Sequence, residues 1–210
     1  AKLDRIDALE PDLVLAFSDL QADIVRDLVK RGHNVHCSNV RSVADILDNI
    51  RQVGALVGYD TEARAYSRKL ERGVEAVRRK AARRPHRPRV YFEEWDTPMI
   101  TGIAWVGELI DIAGGRDIFP ELRSGVTAHS HKVDPDEEAR RAPEVILASW
   151  CGKKVSVPSI LGRKGWGDVP AIRYRRVHEI SSTLILQPGP AALTDGLQEL
   201  SRLIDLPALP

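Results

Sequence analysis

Between residues 60 and 84 the side chains of Ala63, Tyr66, Leu70, Val74, Val77 and Ala81 recur at steps of three and four. That spacing draws a single apolar stripe along a helix. No proline interrupts the run before Pro85, which lacks the amide needed to continue it. Asp60 or Thr61 is expected to cap the first turn, and Gly73 is the weak point, costing about 1 kcal/mol against alanine. At about 1.5 Å per residue the helix is roughly 36 Å long, the diameter of a small domain. A similar short run stands on each side of it. Pro11-Asp12-Leu13-Val14-Leu15-Ala16-Phe17 precedes it, and Pro143-Glu144-Val145-Ile146-Leu147-Ala148-Ser149-Trp150 follows. An uncharged run of this kind behind a breaker predicts a strand buried on both faces, as in parallel sheets. Its recurrence on opposite sides of one long helix predicts two related lobes.

The remaining pattern fills in those lobes. Residues 2–9 form a short helix, 12–16 a strand, 20–31 a helix stopped by Gly32, and 34–38 a second strand. Ser42 caps a helix whose stripe is Val43, Ile46, Leu47, Ile50, Val53 and Val57. The order strand, helix, strand, helix is the unit of a parallel sheet. Beyond the long helix, residues 89–93 alternate as a strand, and 102–113 form a helix ended by Gly114-Gly115. Asp134-Pro135-Asp136-Glu137 starts another helix, with an acid at the cap and proline in the first turn. A short helix is expected over residues 158–164, one or two short strands over 171–180, and a closing amphipathic helix over 191–206.

Composition narrows the class without naming a function. The 210 residues are 29% charged and 43% hydrophobic, which is ordinary for a globular chain. The net charge of +1 gives no overall field toward nucleic acid or acidic partners. The basic cluster running from Arg78 through Arg89 is read as a solvated helix end whose cations suit the helix dipole. Cys37 and Cys151 fall in different halves, so neither a disulfide framework nor a CxxC metal site is expected. No run is long and apolar enough to span a membrane, and no leader stands at the start, where residue 1 is Ala.

In open parallel sheets, ligands sit beyond the carboxyl ends of the strands. Those mouths read Phe17-Ser18-Asp19, Ser38-Asn39, Glu94-Trp95 and Trp150-Cys151-Gly152, so three of the four carry an aromatic. Two readings stay open: aromatic faces aimed at a large flat ligand, or caps on the core. Gly152 leaves room for close approach beside Trp150. Trp105, inside its helix, reads as core. Catalytic groups are thin. Glu93 and Glu94 are neighbours on a strand and point to opposite faces, and His129 and His131 read as a solvated loop. Cys151 has no histidine placed beside it, and no glycine-rich phosphate loop follows any strand. The chain reads as a binder, with no catalytic residues and no metal site.

Several stretches together resemble a known family. Leu9-Glu10-Pro11-Asp12-Leu13-Val14-Leu15-Ala16, the single long helix, Glu108-Leu109-Ile110-Asp111-Ile112-Ala113-Gly114-Gly115, Gly165-Trp166-Gly167-Asp168-Val169-Pro170-Ala171, Val177-His178-Glu179-Ile180 and Gln187-Pro188-Gly189-Pro190 are similar to the periplasmic cobalamin- and iron-siderophore-binding proteins of ABC importers. The likeness covers nearly the whole chain, and the cobalamin-binding branch is the nearest. It implies an α/β fold of two Rossmann-like lobes with parallel sheets, joined by one long helix. The lobes are then residues 1–59, the helix 60–84, and the second lobe 85–210. The implied function is capture of cobalamin or a related corrinoid between the lobes and delivery to the membrane permease. A ferric siderophore or haem is the variant, and a two-lobed α/β metal-chelate enzyme is the reading from another class. Cobalamin is then a transported ligand and no catalytic cofactor is needed. The expected ligand-binding residues are Phe17, Ser18, Trp95, Trp150, Cys151, Gly152 and Gln187. Family members dock each lobe on the permease through an exposed carboxylate, for which Asp19 or Asp23 serves in the first lobe. Residues 153–164 of the second lobe offer none. The resemblance also implies a monomer in the periplasm, or an anchored extracellular one, with a leader and a further strand and helix upstream that this chain lacks.

Overall fold

The computed structural model describes residues 2–125, 128–205 and 207. The chain divides into two compact units, Ala1–Val40 and Arg41–Pro210.

The smaller unit runs α1 (Leu3–Asp7), β1 (Val14–Phe17), a 3-10 turn (Asp19–Gln21), α2 (Ala22–Lys30) and β2 (Val35–Ser38). β1 and β2 pair in parallel, from Val14 opposite Val35 to Phe17 opposite Ser38. Gly32, at φ +91°, takes the left-handed turn that ends α2. Arg31 and His33 on either side of it reach back to α1. The Arg31 Nη1 donates to Asp4 Oδ1 at 2.8 Å, and His33 Nε2 meets Asp7 Oδ1 at 2.7 Å. The expectation that β1 is buried on both faces is corrected here, because Leu15 is 53% exposed. Among the described residues its sheet has two strands, which cannot enclose both faces.

The larger unit begins with α3 (Val43–Leu56) and α4 (Asp60–Ala81). Ser42 caps α3 as expected: its hydroxyl accepts from Asp45 N while the Asp45 carboxylate accepts from Ser42 N, a reciprocal capping box. α3 lies along α4, with Gly54 seated so close to Ala63 that a Cβ there would collide with the Ala63 methyl. On α4 the buried residues are Ser67, Leu70, Val74, Val77 and Ala81. Tyr66, counted in the stripe, is instead 41% exposed, and Ser67 takes the inner position, its hydroxyl accepting from Arg51 Nη1 at 2.6 Å. Neither Asp60 nor Thr61 caps the helix. Tyr59 holds the cap position without a side-chain bond, and Asp60 accepts from Arg64 Nε at 2.8 Å from within the first turn.

The sheet of this unit follows: β3 (Arg89–Asp96), β4 (Met99–Thr101), α5 (Ala104–Ile112), β5 (Arg116–Asp117), α6 (Pro135–Arg140), β6 (Val145–Ala148), α7 (Val157–Leu161), α8 (Pro170–Arg173), β7 (Val177–Glu179), α9 (Ser182–Ile185) and α10 (Leu197–Ile204). β3, β6 and β7 run parallel, with Val90 opposite Val145 and Ile146 opposite Val177. β4 folds back antiparallel on the end of β3, and β5 pairs in parallel with its start. Val145, Ile146, Leu147 and Ala148 are completely buried, so this copy of the repeated run does lie between two covered faces. Trp105 is core as expected: it is 2% exposed and its Nε1 donates to Ile185 O at 3.0 Å. Residues 171–173, expected as strand, belong to the single turn of helix α8, which Pro170 opens. The closing helix begins with a π-helical turn, Ala192–Gly196, where Gly196 approaches Leu184 O too closely for any side chain. His131, expected in a solvated loop, is 3% exposed and bonded to Gly125 O.

Candidate functional site

The last residues of β3 and those just past the end of β6 build one cluster on the larger unit. The Lys153 ammonium lies 4.3 Å from the ring centre of Trp95 and 4.6 Å from that of Trp150. Its Nζ donates to Asp96 Oδ1 at 2.7 Å. A cation over two indole faces is held by their quadrupoles, and the carboxylate completes the cage. Burial would raise the Asp96 carboxyl, but the bonds from Lys153 and nearby backbone amides hold it below its usual value. The turn after β3 carries a cis Thr97–Pro98 peptide, and a cavity of about 400 Å³ opens beside it, lined in part by Asp96, Met99, Arg163 and Trp166.

Beneath this surface lies a buried polar layer. Glu93, with no exposure, accepts Arg163 as a two-pronged pair, Nη1 to Oε2 at 2.6 Å and Nη2 to Oε1 at 2.8 Å. Glu93 Oε1 also accepts from Trp150 Nε1 at 3.1 Å. One carboxylate therefore fixes the rotation of Trp150 and places Arg163 4.6 Å over the Trp166 ring. Glu94 turns the other way, to Ile103 N at the start of α5, as neighbours on a strand must. Burial pushes Glu94 up to about 7, only partly opposed by that hydrogen bond. Glu138, on α6, is fully buried, and neither of its oxygens has a hydrogen-bond partner among the described residues. Burial pushes its carboxyl up to about 8, with Arg163 opposing and Glu93 adding to the shift.

The expected ligand residues divide by position. Trp95, Trp150, Cys151 and Gly152 come together on the larger unit. Trp95 is partly buried, Cys151 and Gly152 are exposed, and Trp150 is only 5% exposed, with its ring in the core beside Ile160 and Trp166. Gly152 has φ +78° and open space where a Cβ would stand. Gln187 is exposed past α9, and its carbonyl accepts from Gly189 N. Phe17, Ser18, Asp19 and Asp23 belong to the smaller unit. Ser18 is 2% exposed at φ +60°, its hydroxyl accepting from Leu20 N, while Phe17 N donates to Gln21 Oε1 at 2.8 Å. Asp23 is 87% exposed and pairs with Arg26 at 2.8 Å, and Asp19 is exposed. Both cysteines are free and exposed. Sequence reasoning missed Lys153, Arg163 and the inward role of Glu93. The one signal was the carboxylate of Glu93 directly after the apolar run Val90-Tyr91-Phe92.

In parallel-rich α/β folds ligands sit at the strand ends, where this chain carries its aromatic cluster. Residues 1–184 match the periplasmic binding protein family, and the chain belongs to it. A vitamin B12-binding protein of Vibrio parahaemolyticus is 25% identical over 195 residues, covering 91% of this chain and 68% of that protein. Among solved structures, an ABC transporter substrate-binding protein from Listeria monocytogenes superposes with a TM-score of 0.83 at 19% identity, over 97% of this chain and 80% of the other. The haem-complexed IsdE of S. aureus superposes at 0.78 and 16% identity, with the same coverage. The family is one of binding proteins and not of enzymes. Its family works in the periplasm or as membrane-anchored lipoproteins, and among the described residues no helix is long and apolar enough to cross a membrane.

Proposed function

We propose that the protein captures a corrinoid, with cobalamin as the reference ligand, and hands it to the permease of an ABC importer. The observation that carries this reading is the joining of Trp95 and Trp150 under one ammonium at the parallel strand ends. Flat aromatic faces with few, well-placed polar groups suit a large, rigid, partly apolar ring system. The vitamin B12-binding relative supports the ligand class. In this reading the ligand contacts of the larger unit are Trp95, Trp150, Cys151, Gly152 and Gln187, and those of the smaller unit, taken by itself, are Phe17 and Ser18. Asp19 and Asp23 are the carboxylates offered to the permease.

Haem or another carboxylate-bearing chelate is the second reading. The Lys153 ammonium favours it, because an anionic substituent can replace Asp96 as its partner.

Equilibrium dialysis against cobalamin, haem and a ferric siderophore, read by visible absorbance, tests both. Retention of cobalamin supports the first reading, and retention of haem alone supports the second. Failure to retain any of the three overturns the family of readings. Trp95→Ala should weaken the retained ligand by roughly 30-fold, as expected for a central aromatic anchor worth about 2 kcal/mol. An unchanged affinity would show that Trp95 serves the fold alone.

A further inference from the structure

Where α4 ends and β5 begins, the larger unit holds a cavity of about 510 Å³ lined by none of the groups used above. Four arginines line it, Arg78, Arg87, Arg116 and Arg123, with Asp111 and Asp117 as its carboxylates. Their hydrogen-bonding capacity is unevenly used. Arg123 is committed: Nε donates to Asp117 Oδ2 and Nη1 pairs with Asp111 Oδ2, each at 2.8 Å, while Nη2 donates to Gly107 O at 2.9 Å. Asp117 is equally committed, since its Oδ1 accepts from Phe119 N at 3.0 Å.

The other three arginines are largely unspent. Arg78 makes one 3.3 Å contact, from Nε to Glu75. Arg87 sends Nη2 to Gly115 O at 2.7 Å and stands 3.5 Å from Asp111. Arg116 is exposed, and its side chain has no partner among the described residues. Each guanidinium carries five N–H donors, so donors from a helix end, a loop and a short strand converge unused on one hollow. The helix ends do not require them. Arg84 already serves that role, donating to Ala113 O at 2.5 Å and to Ser201 O at 3.1 Å. The floor at Ala81 and Gly114 leaves the space open. On a chain with a net charge of only +1, this is a local excess and not part of a general field.

Guanidinium forks match the oxygens of tetrahedral oxyanions two at a time. We propose that this cavity binds a phosphate group through Arg78, Arg87 and Arg116, with Arg123 and its two aspartates as the rigid wall that holds Arg87 in place. The phosphate is either a free anion or the headgroup of an anionic phospholipid.

Calorimetry with inorganic phosphate and pyrophosphate at low ionic strength tests the first source. Flotation with phosphatidylglycerol vesicles, against phosphatidylcholine vesicles, tests the second. Binding in either arm supports the site, provided that Arg116→Ala and Arg87→Ala each weaken it roughly tenfold. Arg72→Ala is the control: it removes the same charge from an exposed position elsewhere on α4 and should leave binding unchanged. The Arg116 side chain bonds to no other among the described residues, so its variant should keep the parent melting temperature; Arg87→Ala provides the same test from a second position. The proposal is overturned by no binding in both arms. It is equally overturned if Arg72→Ala weakens binding as much as Arg116→Ala, because the attraction is then diffuse charge without a site.

Discussion

Glu138 shows what a single buried carboxyl can impose on the whole protein. In the folded state its proton is held up to about 8, whereas the ordinary value is 4.5. Glu94 behaves alike, at about 7. Because the folded chain holds these protons more tightly than the unfolded one, stability is fully present below about pH 4.5 and falls as pH rises through the folded values. The Glu138 share is on the order of 5 kcal/mol. Denaturant melts from pH 5 to 9 should show that fall, and Glu138→Gln should flatten it. A parallel slope in the variant would show that Glu138 is not its source. At this scale, sequence reading succeeds where partners are local. The Ser42 and Asp134 caps were legible because each serine or aspartate finds its amides within three residues. Lys153 was not legible, because its carboxylate, Asp96, lies 57 positions away and only the sheet brings the two together.

Among the elements, α3 and α4 carry two contrasting glycine tests. Gly73 sits in the interior of α4 with nothing within 4 Å of where a methyl would stand, so Gly73→Ala should stabilise by about 0.5–1 kcal/mol in urea melts. A loss of stability would mean that the position is not ordinary exposed helix. Gly54, on the facing helix α3, has no such room against Ala63. Gly54→Ala should destabilise by roughly 1–3 kcal/mol, since α3 and α4 must separate to admit it; no change would show that the pair is loosely packed. The long helices and the β6 strand were readable because their apolar positions repeat over enough residues to define a period. β4 and β5, of 3 and 2 residues, were not. They exist because β3 offers them an edge, a property that no window of their own sequence contains. The same limit explains β1: its composition matched β6, but burial depends on how many neighbours a strand finds, and among the described residues β1 has one while β6 has two.

Across the whole molecule, the two units carry unequal cores. Among the described residues of the smaller one the buried apolar side chains are Leu28 and Val40, whereas the larger one buries the whole of β6. Two-stranded sheets are marginal on their own, and local opening follows from thin burial. Amide exchange should therefore be faster by orders of magnitude at Ala16 and Phe17 than at Tyr91 and Ile146. Equal protection would show that the units open as one. The order of synthesis adds a consequence of the α4 packing. Its buried residues, Leu70, Val74, Val77 and Ala81, face α3, α5, α10 and the π-helical turn before α10. The last of these covering elements leaves the ribosome after Val77 by well over a hundred codons, on the order of ten seconds at typical elongation rates. For that interval only α3 is there to cover the stripe, and the part that awaits α10 travels open on a nascent chain, a natural foothold for a chaperone that keeps such chains from aggregating.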